Sequence, residues 1–440
     1  MLGRSIALLA AGAISLAAPT SPNGQASASN GTFNLLSIGV DGYPASLEHC
    51  GLTDSDKMRN TEYIGLAIGD DGYDIINFQE DLHYHESLTK PLRRSFFTET
   101  SGDVPSGSGL NTFSNYSWVD FSRTKWDSCG NGCAAALGFT FMRVRIDEGV
   151  YIDMINLDIN SLNDQAAKRA NINQLSEFIR TQSEGNAVIV SGNTATFYSR
   201  HDDIRTLFTE NGLTDAWVKA IGDSGSVFDM PVCPESVPPN ILCESEQKIL
   251  YRGSRAMNLT AYGFYYDTAR FESPEGYLLS SRYPVRAEFV WDLNPLLRQS
   301  KPFGGPYGKR FTDMTNLPGQ PEVASITLRG ANRLDGLTIA YSGHKQTTFT
   351  HGGSGGKAYT LNLDQGEHIV SVHLCRGKKN GHARVFYAKA NTNKGRSVEA
   401  GKTTDDCETF NAPDGFAVAG TFGRDGKEMD QLGFIHAKLM

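Results

Sequence analysis

The stretch VIVSGNTATFYSR, residues 188–200, decides how the first two-thirds of the chain is read. Val188, Ile189 and Val190 make a short apolar run that stops at Ser191 and Gly192, the pattern of a buried strand entering a turn. The turn then presents Asn193, Thr194, Ala195 and Thr196, with no carboxylate among them. Working outward, residues 32–40, 73–78, 139–146, 150–157 and 248–251 share this strand-like character. Residues 163–180 read as a helix, because Ile172, Leu175, Phe178 and Ile179 recur at helical spacing, with Asn163 as its expected cap. A shorter helix is expected over 202–208. Long strands with flanking helices imply a layered α/β sandwich.

The character changes beyond Asp292. Residues 295–318 are rich in Gly and Pro, and short strands with Gly turns follow to the end of the chain. That pattern implies an all-β sandwich, barrel or prism. A chain of 440 residues is too long for one ordinary domain. The expected division is a leader and linker over 1–28, an α/β domain over 30–295 and an all-β domain over 300–440.

Composition bounds the function. The formal net charge is −8 and no basic block occurs, which argues against a nucleic-acid partner held through phosphates. Arg4 followed by the apolar run at 6–18 has the form of a signal peptide, with small residues at Ala17–Ala18 and Ala26–Ala28 for cleavage. No later segment approaches transmembrane length. Secretion and an extracellular location are therefore expected. In that compartment the seven cysteines read as bridges, paired by proximity as Cys129–Cys133, Cys233–Cys243 and Cys375–Cys407, with Cys50 left over. Asn30, Asn115 and Asn258 lie in glycosylation sequons.

Seven segments in order carry a family resemblance: SIGVDGYP (37–44), DIINFQE (74–80), YIDMINLDIN (151–160), VIVSGNTAT (188–196), GLTDAW (212–217), QKILYRGS (247–254) and LLSSRYPVRAEF (278–289). Together they resemble the endonuclease/exonuclease/phosphatase superfamily, most closely its secreted fungal and sphingomyelinase-like branches. The resemblance implies a four-layer α/β sandwich and metal-dependent phosphoester cleavage. That chemistry needs charged oxygen ligands for Mg²⁺ and imidazoles for proton transfer. Carried over position by position, the metal-binding Glu is Glu80. The first-strand Asn falls on Gly39, and one His falls on Asp158. The loop Asp and Asn fall on Asn193 and Ala195, and the last Asp and His fall on Ser281 and Arg282. One matching position in seven implies an emptied catalytic site in which Arg282 pairs with Glu80 or Asp158. No cofactor is then expected. The alternative is an active Mg²⁺-dependent hydrolase that uses Glu80, Asp158 and Asp153. His83, His85 and His201 are read as loop or surface residues.

The C-terminal part carries a second resemblance. GGPYGKRFTD (304–313), ITLRGANRLDGLTIAY (326–341), HGGSGG (351–356), LNLDQGEHIVSV (361–372), ANTNKGR (390–396) and VAGTFGRDGKEMDQLGF (418–434) resemble jacalin-like lectins. The resemblance implies a β-prism of three four-stranded sheets and a metal-free sugar pocket. The family's G-x-x-x-D motif reads Gly426, Lys427, Glu428, Met429, Asp430. Asp430 would accept from two sugar hydroxyls, and the amides of Lys427, Glu428 and Met429 would donate. Gly305 would let the first loop approach closely. Glycans are the expected partner. Mannose-type ligands are favoured, because the first loop is internal to the chain and is not a freed terminus. His351 is expected to support its turn.

Overall fold

The structure, a computed structural model, describes residues 28–47, 51–70, 72–128, 135–159, 164–198, 204–222, 227–234, 239–343 and 347–440. The leader segment, Cys50, the Cys129–Cys133 pair, Asn163 and His201 lie outside the described residues. Residues up to Leu293 form two six-stranded sheets. In the first, Asn30–Gly39 runs parallel to Ile75–Gln79 and antiparallel to Val285–Leu293. In the second, Val150–Asp158 runs parallel to Ala187–Asn193, which pairs antiparallel with Gln247–Arg252.

These central strands are buried along almost their whole length, which is why 188–190 is a continuous apolar run and does not alternate. The helix Gln165–Gln182 lays Ile172, Leu175 and Ile179 into the core, and Phe178 packs edge-on against Phe139 and Phe141 of the second sheet. Its cap is Asp164, which accepts from the Ala167 amide at 3.0 Å. The second helix is Arg205–Asn211 and ends at Gly212 in the left-handed conformation. A further helix, Asp54–Asp70, packs Ile64 and Ile68 against Leu36, Ile76 and Phe78 of the first sheet.

Between the sheets lies a buried polar layer. Asn77 donates to Ser191 at 2.8 Å, and Gln79 donates to Asn156 at 2.7 Å. Because each group is satisfied across the gap, this layer fixes the register of one sheet on the other. Arg143 and Asp153 form a buried pair within the second sheet, Nε to Oδ1 at 2.7 Å, and Asn186 also donates to Asp153 at 3.0 Å.

Residues from Leu297 onward form one five-stranded and two four-stranded sheets around a common core. The expected count of four strands per sheet fails in the first, because its edge is split. Leu297–Gln299 and Phe303–Gly304 both pair with Met429–Lys438, and the break contains Pro302, which has no amide hydrogen to give. Cys375 and Cys407 sit opposite each other on paired strands and are bonded, as are Cys233 and Cys243. Among the described residues no helix is long and apolar enough to cross a membrane.

His436 is buried in Met429–Lys438, and neither ring nitrogen has a hydrogen-bond partner among the described residues. Burial pushes its imidazole down from 6.5 to about 4. The unfolded chain therefore takes up a proton below about pH 6.5 that the folded chain refuses. Stability should fall as pH drops from about 6.5 to about 4, by roughly 3 kcal/mol for this group. Denaturant titrations of wild type and His436→Phe should diverge across that window, and parallel curves would refute the assignment.

Candidate functional site

The two parallel strand pairs end on the same side. Gly39 is in register with Gln79, which precedes Glu80, and Asp158 is in register with Asn193. The fold thus gathers Gly39, Glu80, Asp158, Asn193 and Ala195 at one end, and the segment carrying Ser281 and Arg282 closes over them. Ser281 donates twice to Asp41, and Ser280 donates to the Gly39 carbonyl at 2.7 Å. Three residues here hold left-handed backbone without being glycine: Asp41, Glu80 and Ala195, at φ 48°, 58° and 51°. Such conformations cost energy and persist where surrounding structure enforces them. At Glu80 two glycines do the enforcing. A Cβ on Gly42 would lie 2.0 Å from the Glu80 carbonyl oxygen, and one on Gly109 would lie 2.9 Å from its Cα.

Arg282 dominates the site. Its Nη2 lies 3.3 Å from Glu80 Oε1, and its Nη1 lies 3.7 Å from Glu246 Oε2. Glu80 first, then Asp158, Asp41 and Glu246, hold the guanidinium firmly in its charged form. The arginine stem occupies the space in front of Gly39, where a Cβ would meet Arg282 Cγ at 2.7 Å. Glycine at 39 and the long side chain at 282 are therefore sterically matched. Asp158 Oδ1 accepts from Asn193 at 3.1 Å, while its Oδ2 has no partner among the described residues. Burial pushes this carboxyl up to about 6, with Arg282 opposing. Asn193 Oδ1 in turn accepts from the Ala195 amide at 3.0 Å.

Of the seven carried-over positions only Glu80 and Asp158 offer a charged oxygen to Mg²⁺, and Arg282 competes for both. A dication beside Glu80 would sit against a fixed guanidinium, and Asn193, Ala195 and Ser281 bring no charged oxygen. Asp153 joins nothing here, since Arg143 and Asn186 hold it in the second sheet. His83 pairs with Asp103 at the surface, Nδ1 to Oδ2 at 2.6 Å. His85 pairs with buried Asp81 at 2.8 Å, and that bond raises its pKa. An open cleft adjoins Arg282 and is lined by Phe197, Glu244, Glu246 and Tyr283. The role of Glu246 and Asp41 in holding Arg282 was not legible in any motif.

At the other end of the chain, Asp430 is buried with 3% of its surface exposed. Residues 304–308 wrap it. The Gly305 amide donates to the Asp430 carbonyl at 2.8 Å, and a Cβ on Gly308 would lie 2.7 Å from Asp430 Oδ2. Gly308 also has φ 79°, so both conformation and approach require glycine. A Cβ on Gly305 would strike the Ala383 carbonyl at 2.3 Å. Gly426 by contrast faces open space. Met429 is fully buried in the core, so only its backbone faces the hairpin's purpose. Glu428 is tied to Arg333 and Lys379, each at 2.6 Å, and Arg333 first holds its carboxyl down to about 2.

A residue absent from the sequence reading also reaches this pocket. Arg384 Nη1 lies 2.8 Å from Asp430 Oδ1, yet the contact is not aligned as a hydrogen bond. Burial raises the Asp430 pKa and Arg384 opposes it. The pocket therefore holds a carboxylate with unspent acceptor capacity, glycine backbone at contact distance and one competing cation. His351 stacks on Phe311 at 3.9 Å and pairs with Asp313 at 2.7 Å, supporting its turn. His373, Cys375 and Cys407 cluster closely enough for a metal, but both sulfurs are spent in the disulfide.

Residues 300–435 match the family model of the jacalin-like lectin domain. The chain is 28% identical over 137 residues to horcolin of Hordeum vulgare, covering 30% of this chain and 92% of that one. Among solved structures, a mannose-binding jacalin-related lectin of Ananas comosus aligns at 22% identity with a TM-score of 0.29, over 32% of this chain and 98% of that one. The chain is also 29% identical over 272 residues to a sphingomyelinase of Mycobacterium tuberculosis, covering 59% of this chain. The match spans 53% of that relative, about half its length.

Proposed function

We propose that the protein is a secreted glycan-binding protein. A lectin domain over 300–440 binds sugar through Asp430, and a four-layer phosphoesterase-like sandwich over 30–295 no longer hydrolyses phosphoesters. The observation that carries the first half is Asp430 framed by residues 304–308 in a jacalin-like domain. The second half rests on Arg282 lying against Glu80 and Gly39. Two disulfides and exposed Asn30, Asn115 and Asn258 favour an oxidising, glycosylating route. Mannose-type glycans are the preferred class, since the first loop is continuous with preceding chain. One site should bind a monosaccharide at about millimolar strength, about −4 kcal/mol. A glycan array should give oligomannose signal. A panel of bis-nitrophenyl phosphate and sphingomyelin with Mg²⁺ or Mn²⁺ should show no turnover above blank, and turnover would overturn the second half.

A competing reading, a hydrolase directed to glycans by the lectin, is favoured by the 29% identity to a sphingomyelinase. The same panel separates the two. Arg384 provides a further check on the sugar pocket. A neutral hydroxyl must share Asp430 with this guanidinium, so Arg384→Ala should tighten methyl mannoside binding about threefold to tenfold by calorimetry. Weaker binding would mean that Arg384 holds the ligand instead.

A further inference from the structure

The lectin pocket is braced from outside its own domain. Asp120 lies in Trp118–Lys125, the edge strand of the second sheet, at a bulge between Val119 and Ser122. Its backbone is left-handed at φ 58°, an unfavourable state for aspartate. Bulges of this kind re-aim a side chain. Here the carboxylate enters the lectin domain and is almost wholly buried, with 4% of the side chain exposed. It accepts from Arg310 Nη2 at 2.9 Å and from Gln431 Nε2 at 3.4 Å.

Those two partners stand on the two segments that make the sugar site. Arg310 follows Gly308 by two residues in Lys309–Thr312, and this strand pairs with Phe416–Asp425 up to the start of the 426–430 hairpin. Gln431 follows Asp430 directly and is in register with Gly304. Arg310 is further seated by Gln182 at 3.1 Å and by the ring of Phe141, 5.1 Å away. One carboxylate thus ties the strand that follows the first loop to the strand that follows the hairpin, beside the residues that frame Asp430.

We propose that Asp120 is a positioning residue for the carbohydrate pocket, so that the phosphoesterase-like part is a working component of the lectin site. The inference rests on Asp430 being that site. A pocket whose two walls are pre-set gives up less ordering entropy on binding. Its loss should show as affinity and as local mobility together.

The test uses the full chain. Asp120→Ala should weaken methyl mannoside binding about tenfold and speed amide exchange over 304–308 and 427–431. Asp120→Asn keeps an oxygen that accepts from Arg310 and should recover most of both losses. Arg255→Ala is the control: Arg255 donates to the Met314 and Leu317 carbonyls at 2.8 Å each, across the same contact but away from Asp430. It should lower the melting temperature and leave affinity and exchange at the pocket unchanged. Wild-type affinity and exchange in Asp120→Ala would overturn the proposal, as would an equal loss in Arg255→Ala. Should Asp120→Ala fail to fold, Gln431→Ala, which removes one of the two ties to Asp120, must still show a smaller loss of the same two quantities, and wild-type values there would overturn the proposal. Should the wild type bind no sugar, the lectin reading falls, and the exchange measurement alone decides the role of Asp120.

Discussion

Asp430→Ala should remove measurable sugar binding. A buried carboxylate that accepts from two hydroxyls contributes charge-assisted bonds of about 1.5–3 kcal/mol each. Losing both means about 3 kcal/mol or more, over a hundredfold, and a ligand of about millimolar affinity then drops out of range. The fold should survive, because Arg384 is 22% exposed and keeps Glu428 3.7 Å away. Calorimetry with methyl mannoside checks the affinity, and a thermal melt within a few degrees of wild type checks the fold. Binding retained by Asp430→Ala would place the sugar elsewhere.

The second large effect concerns stability. Asp153→Ala strands Arg143, whose side chain is 4% exposed and pairs with Asp153 through both Nε and Nη2. Breaking one side of such a buried pair costs about 3–5 kcal/mol, because the remaining charge stays in a poor dielectric. The neighbourhood is dense in charge: Arg310 also raises the ionised fraction of Asp153, and burial is the opposing influence. Removing this acid leaves Arg143 and Arg310 with Asp120 as the nearby acidic partner. Against a total of about 5–15 kcal/mol, the change is large. Denaturant unfolding should show it, and a shift under about 1 kcal/mol would contradict the pairing. Replacing both partners with apolar residues of like volume should be far milder.

Asp153 also marks what a sequence can and cannot disclose. Read alone, it is an acidic residue on a strand near Asp158 and a fair candidate for metal chemistry. Residues 153 and 158 stand five apart, so they point to opposite faces of Val150–Asp158, and only the register places Arg143 opposite Asp153. The strand at 187–193 was legible because burial on both faces leaves the apolar run 187–190. The helix Asp54–Asp70 was not, because Ile64 and Ile68 are its main core contacts and Gly65 and Gly69 interrupt its pattern. Gly65 is there for packing: a Cβ would lie 2.3 Å from the Leu88 carbonyl.

The candidate sites divide in the same way. Asp430, Gly305 and Gly426 were legible through the resemblance to jacalin-like lectins, whereas Gly308, whose Cβ would lie 2.7 Å from Asp430 Oδ2, was not singled out. Neither were Arg384 and Asp120, because each acts across a fold from a position with no local signature. The same holds for Glu246 and Asp41 around Arg282. A lone charged residue on a strand carries no sign of its partner until the sheets are assembled. Gly39 and Arg282 lie over two hundred residues apart, and each alone reads as a simple substitution. The structure brings them into contact, with a Cβ on Gly39 falling 2.7 Å from Arg282 Cγ.

A crystal of the full chain soaked in methyl α-mannoside bears most directly on the whole account. The sugar should sit between residues 304–308 and the 426–430 hairpin, with two hydroxyls within hydrogen-bond distance of the Asp430 carboxylate. A hairpin left empty at saturating sugar, or a sugar bound away from Asp430, would contradict it.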